Sequence, residues 1–139
     1  RVELEQALIG GALQVRDLPD AWREASQRFL GLQPKDDLEG ALQDGHWSAG
    51  MFGYFATYTL GNLYAAQLFT AARAALPGLD DEMAAGRFQG LLGWLRAHVH
   101  ANASLRSAAE IVTAATGEAP SPSAFLAHVR SRLADTGQG

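Results

Sequence analysis

Apolar residues recur at intervals of three and four along nearly every segment, a helical rather than an alternating periodicity. That is the period of an α-helix, and it restricts the chain to an all-α fold. Glycine and proline divide the pattern into segments. Val2, Leu4, Ala7, Leu8 and the Ala12–Leu13 pair predict a first helix to about Gln14, with Gly10-Gly11 as a bend or a close contact inside it. Arg1-Val2-Glu3-Leu4-Glu5 already reads as mid-helix with no capping residue before it, as expected either of a trimmed start or of a piece of something longer. After a connector over Val15–Leu18, Pro19 suits the first turn of a helix through Trp22, Ala25, Phe29 and Leu30, which Gly31 ends. Gln33–Asp37 reads as a loop with an Asp able to cap a short helix over Leu38–Leu42.

Gly45 to Gly53, with three glycines, is the least regular stretch. A long helix follows from about Tyr54 to Leu76 and stops at Pro77-Gly78. Its interior Gly61 costs about 1 kcal/mol against Ala, which predicts another backbone close by. Asp80 or Asp81 can cap a short turn through Met83, and Phe88 to roughly Ala101 forms another amphipathic helix. Ser107 caps Ala108–Thr116 and Gly117 closes it; Ser121 with Pro122 opens a last helix whose apolar face is Phe125, Leu126, Val129 and Leu133. The tail Asp135–Gly139 is expected to fray. The expectation is one helical domain over residues 1–139, with two long helices and several short ones.

With 139 residues, 47% of them hydrophobic, the chain can bury a core and is not a disordered segment. Eleven Lys and Arg against 15 Asp and Glu give a net charge of −4 with no basic run, so nucleic acid and anionic membranes are poor partners. The absence of cysteine excludes disulfides, thiolate catalysis and Cys-based zinc knuckles. No apolar stretch is long enough to span a bilayer and no secretory leader opens the chain, which predicts a cytoplasmic protein.

Most histidines read as ordinary surface residues. His98 and His100 lie two apart on a helix and so point about 160° away from each other. His128 sits in an unremarkable amphipathic helix, and neither an H-E-x-x-H zinc motif nor a G-x-S-x-G elbow is present. His46 keeps different company. Gly40-Ala41-Leu42-Gln43-Asp44-Gly45-His46-Trp47 gathers an amide, a carboxylate, an imidazole and an indole in the least regular region. A carboxylate beside an imidazole fixes its tautomer, and Tyr54 and Tyr58 follow at helical spacing on one face. A loop histidine with a helix-face tyrosine can form a two-donor oxyanion site. The alternative is that Gln43, Asp44 and His46 only stitch the loop to the helix ends, with Trp47 as core.

This eight-residue run resembles the G-x-x-Q-D-x-H-W motif of the thermostable carboxypeptidase (Taq type) family at every fixed position. The flanks resemble the family as well: Arg1–Ile9, Asp17-Leu18-Pro19-Asp20-Ala21-Trp22, Gly53-Tyr54-Phe55, Tyr58–Gln67 and Ala115-Thr116-Gly117-Glu118. The resemblance covers the chain in order and implies a neurolysin-like gluzincin fold, of which this is the C-terminal helical part. Family members are zinc- or cobalt-dependent metallocarboxypeptidases, whose metal-binding segments would lie upstream of Arg1. By the resemblance, His46 and Tyr54 would stabilise the oxyanion in a completed enzyme, while Gln43, Asp44, Trp47 and Tyr58 would shape the substrate groove. The family usually has Pro at the place of Ala56, and a glycine and a basic residue at the places of Ala103 and Leu105.

A hydrolytic zinc centre needs three protein ligands, and no metal or other cofactor is expected on this chain alone. The leading expectation is a carboxypeptidase-related domain, not catalytic by itself, whose uncovered apolar faces drive homodimer formation. A second is a fragment that supplies His46 and Tyr54 when joined by the N-terminal part of a carboxypeptidase. A third is an adaptor that keeps the motif only for packing.

Overall fold

The computed structural model describes residues 1–137. All seven α-helices among these residues are joined by turns and two short 3-10 segments, and no strand occurs among them. Backbone contacts divide the chain into two compact units, Arg1–Tyr58 and Thr59–Gly139.

The first unit holds α1 (Val2–Ile9), α2 (Leu18–Leu30) and the first turn of α3 (Phe55–Ala75). Helix α1 is shorter than the periodicity predicts. Gly11 takes a left-handed φ of 76°, and the chain turns out of the helix with Leu13 N–H bonded to the Ala7 carbonyl. Gly10-Gly11 is therefore a stop signal rather than a bend, and only Gly supplies that conformation without strain. Pro19 lies in the first turn of α2, and Gly31 closes it in the left-handed conformation, as expected.

No helix forms over Leu38–Leu42; the segment is a series of turns in which Asp36 accepts the Glu39 N–H at 2.9 Å. The cap is present, but Leu38 and Leu42 are 72% and 67% exposed, and the buried Ala41 alone is too small an apolar face to hold a helix there. Leu4, Trp22 and Ala41 form the buried core of this unit, with Leu13, Leu18, Ala21, Ala25 and Trp47 packed around it. Trp22 and Trp47 meet edge to face at 6.2 Å, a favoured aromatic geometry.

The second unit contains the rest of α3, then α4 (Leu79–Ala84), α5 (Gln89–His98), α6 (Ala108–Thr116) and α7 (Ser123–Thr136). Ala72, Leu79 and Trp94 are its buried centre, flanked by Leu68, Phe69, Leu91, Leu95 and Val99. Gly61 meets nothing: a Cβ built there finds no neighbouring atom within 4 Å among the described residues, against the close backbone expected. Gly78, not Asp80 or Asp81, caps α4; Asp80 instead pairs with the Arg73 guanidinium. Helix α5 ends at His98 and tightens into a 3-10 turn over His100–Asn102, short of the predicted Ala101.

Ser107 caps α6 through a full capping box with Glu110, and Gly117 closes it. Helix α7 begins after Pro122, one residue later than predicted, and Ser121 accepts the Ser123 N–H through its hydroxyl. Phe125 and Val129 turn inward as expected, while Leu126 and Leu133 remain exposed. The helix continues to Thr136, and Gln138 and Gly139 of the expected frayed tail lie outside the described residues. Ser104, in the run that departs from the family pattern, is a non-glycine residue at φ 64°, beside the 80% exposed Leu105. No helix among the described residues is long and apolar enough to cross a membrane.

Candidate functional site

The motif loop opens on a glycine that space requires. A Cβ at Gly40 would lie 3.1 Å from the Asp36 carbonyl oxygen and 3.4 Å from the Trp22 ring. From there the chain turns through Gln43 and presents Asp44 and His46 together.

Asp44 accepts the His46 backbone N–H at 3.1 Å, and its carboxylate also takes the His46 Nδ1 hydrogen. Arg1 approaches the other Asp44 oxygen at 3.0 Å, with its guanidinium 5.4 Å from the Phe55 ring and 5.6 Å from that of Trp22. The side-chain bond from His46 holds the Asp44 carboxyl below its usual range; the His46 backbone bond and the Arg1 charge add to this, against the opposing effect of burial.

On the far side of the ring, His46 Nε2 lies 3.0 Å from the Tyr58 hydroxyl. Because Asp44 takes the Nδ1 hydrogen, a neutral His46 accepts the Tyr58 O–H at Nε2. When the ring is protonated, Nε2–H donates to the Tyr58 oxygen instead, and the phenol hydrogen is free to point outward. Asp44, His46 and Tyr58 thus form a hydrogen-bonded relay that ends at the phenol of Tyr58, a residue 54% exposed. Tyr54 belongs to the same cluster in a different way. Its ring lies 5.5 Å from that of His46 and 5.6 Å from that of Tyr58, and no hydrogen bond to its phenol forms among the described residues.

The local sequence explains this convergence. Gly53 takes a left-handed φ of 77°, turning the chain into α3, whose first carbonyl, Tyr54, accepts both the N–H and the hydroxyl of Thr57. Tyr54 stands just before the helix and Tyr58 one turn inside it, so both reach the same side. Phe55, 5% exposed, faces His46 at 4.9 Å and meets Trp47 edge to face at 5.5 Å. Trp47 is accordingly part of the wall behind the histidine.

Gln43 does not join the cluster. It is exposed and lines a concavity of about 610 Å³ with Trp22, Leu30, Leu32 and Pro34. His98 lies against Trp94 at 4.7 Å, and His100 and His128 are exposed, as their surface reading predicts.

Two residues of this site carry no local signal in the sequence. Arg1 reaches Asp44 from the start of the chain. Glu5, 6% exposed, accepts the Trp47 indole N–H at 3.1 Å and the Gly53 backbone N–H. The mid-helix reading of Arg1–Glu5 gave neither a role, because both partners lie across the fold.

A catalytic zinc takes three protein ligands. The described residues do not fit one by themselves: no three His, Asp or Glu side chains come together among them, and both His46 ring nitrogens are already engaged.

Comparison with known proteins agrees over nearly all of the chain. The family model for Carboxypeptidase Taq (M32) metallopeptidase matches residues 1–133. Thermostable carboxypeptidase 1 of Thermus thermophilus is 50% identical over 134 residues, covering 96% of this chain and 26% of that protein. Carboxypeptidase 1 of Bacillus subtilis is 41% identical over 118 residues, covering 85% of this chain and 24% of its own length. The crystal structure of the M32 carboxypeptidase from Deinococcus radiodurans R1 superposes with a TM-score of 0.91 at 41% identity, over 96% of this chain and 27% of that one. The chain therefore spans about a quarter of the length of these relatives. A match of this extent and identity assigns the chain to the Carboxypeptidase Taq (M32) metallopeptidase family.

Proposed function

We propose that this chain is the C-terminal portion of a cytoplasmic M32-type zinc or cobalt metallocarboxypeptidase and lends it hydrogen-bond donors for the oxyanion of peptide hydrolysis. The observation that carries this reading is the relay Asp44–His46–Tyr58 beside the free phenol of Tyr54. As a peptide carbonyl turns into a tetrahedral oxyanion, donors aimed at the developing charge strengthen, and each contributes roughly 3–4 kcal/mol. Tyr54 offers its O–H directly. Tyr58 offers its own when His46 is protonated, and Asp44 orients the ring through Nδ1. Trp47 and Phe55 form an apolar wall behind the imidazole, and Gln43 borders the groove further along.

The metal, which would supply the activated water, takes its ligands from the portion of the enzyme outside this chain. The chain alone is therefore not a peptidase. Mixed with the complementary portion and zinc, it should release C-terminal residues from peptides, while either piece alone should not. A mixture that releases nothing would contradict the reading.

A second reading concerns the chain when it stands alone. Ile9, Phe29, Leu30 and Phe52 are each more than half exposed on the first unit, and soluble proteins rarely leave such patches open. Self-association, with a homodimer as its simplest form, would cover them and could serve a regulatory role. Static light scattering that returns a monomer at every concentration would remove this second reading.

A further inference from the structure

We infer that Glu5 is a positioning residue that sets the His46 ring against Tyr54 and Tyr58, acting through the residues adjacent to His46 and Tyr54. One of its oxygens accepts the indole N–H of Trp47, the residue after His46, and the other accepts the backbone N–H of Gly53, the residue before Tyr54. A single side chain from α1 thereby fixes both ends of the cluster, across 42 and 48 positions of sequence. The loop between these ends needs such a clamp, since Gly50 and Gly53 both take left-handed φ values and no regular helix spans Gly45–Gly53.

The chemistry demands a carboxylate at this position. Both partners are N–H donors with no accepting atom to offer, and a carboxylate presents an acceptor at each oxygen. A carboxamide presents one acceptor and one donor, so Gln at position 5 can satisfy Trp47 or Gly53 but not both. The conflict would arise at a side chain only 6% exposed, where an unpaired N–H is costly. The hydrogen bonds of the Glu5 carboxylate go to Trp47 and Gly53 and not to His46 or the tyrosines, so its influence is on their placement. This inference rests on the proposed function for its catalytic consequence, although not for the placement itself.

The test uses the natural polypeptide that carries this sequence, with histidine labelled in the ring nitrogens and the His46 signals assigned by their loss in His46→Ala. Glu5→Gln should move the His46 Nδ1 and Nε2 resonances toward a mixture of tautomers and lower kcat about tenfold with KM unchanged. A Glu5 that served stability alone would lower Tm and leave the His46 nitrogens where they are, and that result overturns the inference whatever the activity. Should Glu5→Gln not fold, Glu5→Asp is read in the same way: it keeps the charge but is one methylene too short to span both donors. Unmoved His46 signals in that variant overturn the inference equally. If His46→Ala leaves kcat intact while the Glu5 variants still shift the ring nitrogens, the positioning role stands and the proposed function falls.

Discussion

Each unit of the chain buries a polar side chain, Glu5 in the first and Gln67 in the second, and both are 6% exposed. They have the same length and the same burial, yet they are not interchangeable. The partners of Glu5 are N–H groups, so it needs acceptors on both atoms. Gln67 donates through Nε2 to the Thr116 hydroxyl at 3.1 Å and to the Glu118 and Ala119 carbonyls at 3.1 and 3.2 Å. Its Oε1 accepts the Ser121 N–H at 3.1 Å. Acceptors gather around one end and a donor around the other, which is the pattern of a carboxamide. The choice between carboxylate and carboxamide follows from the backbone groups each must satisfy. In the second unit the result is a fixed connection between α6 and α7; in the first it is a fixed histidine.

The units differ further in how much rests on apolar packing. The second has Ala72 fully buried, with Leu79 and Val112 at 2%. The first has a smaller core and more polar geometry around Asp44 and His46. Trp94→Ala should therefore give the largest effect, a loss of about 3–5 kcal/mol in the natural polypeptide by denaturant unfolding. A loss below that of a surface substitution would erase the contrast between the units.

Gln67→Glu comes next. It sets a carboxylate oxygen against the three oxygens that now receive Nε2, and should cost about 3 kcal/mol. A neutral outcome would mean that the buried amide is not read by its partners. Ser107→Ala removes the capping box of α6 and should cost about 1 kcal/mol. Ser104→Gly should be of similar size and opposite sign, since it relieves a left-handed serine at about 1 kcal/mol.

The finest contrast is a pH slope. His46 holds the Asp44 carboxyl low in the first unit, and the Ser107 side chain, followed by its backbone N–H, does the same to Glu110 in the second. A carboxyl with a depressed folded pKa binds fewer protons folded than unfolded. Its stabilisation is therefore present above the ordinary carboxylate range and is lost as pH falls through the folded value. Asp44→Asn and Glu110→Gln should each flatten the acid limb of stability against pH, as followed by urea midpoints from neutral pH downward. An acid limb unchanged in both variants would sever this link.

Much of this was legible in the sequence, and the limits are physical. Gly31, Gly117 and the Ser107 cap announce helix ends through local chemistry, and the structure places them as read, with Glu110 completing a capping box that the sequence reading did not include. The segment Leu38–Leu42 has the cap of a helix but buries only Ala41 and leaves both leucines exposed, and burial is a tertiary property. Gly10-Gly11 could bend a helix or end it, and only the left-handed φ of Gly11 decides. Asp44 and His46 are neighbours in sequence, so their bond was readable, and helical spacing brought Tyr54 and Tyr58 to the same side. That His46 bonds Tyr58 while Tyr54 stays free depends on the turn at Gly53. Glu5 was invisible as a site residue because both of its partners lie more than 40 positions away.

Steady-state kinetics of His46→Ala in the natural polypeptide would test the oxyanion role most directly. The expected result is a kcat lower by about 10²–10³-fold with KM little changed, since His46 holds Tyr58 as a donor to the oxyanion, and such a donor acts in the transition state and not on bound substrate. A kcat equal to that of the unaltered enzyme would contradict it and leave His46 as a packing device of the loop.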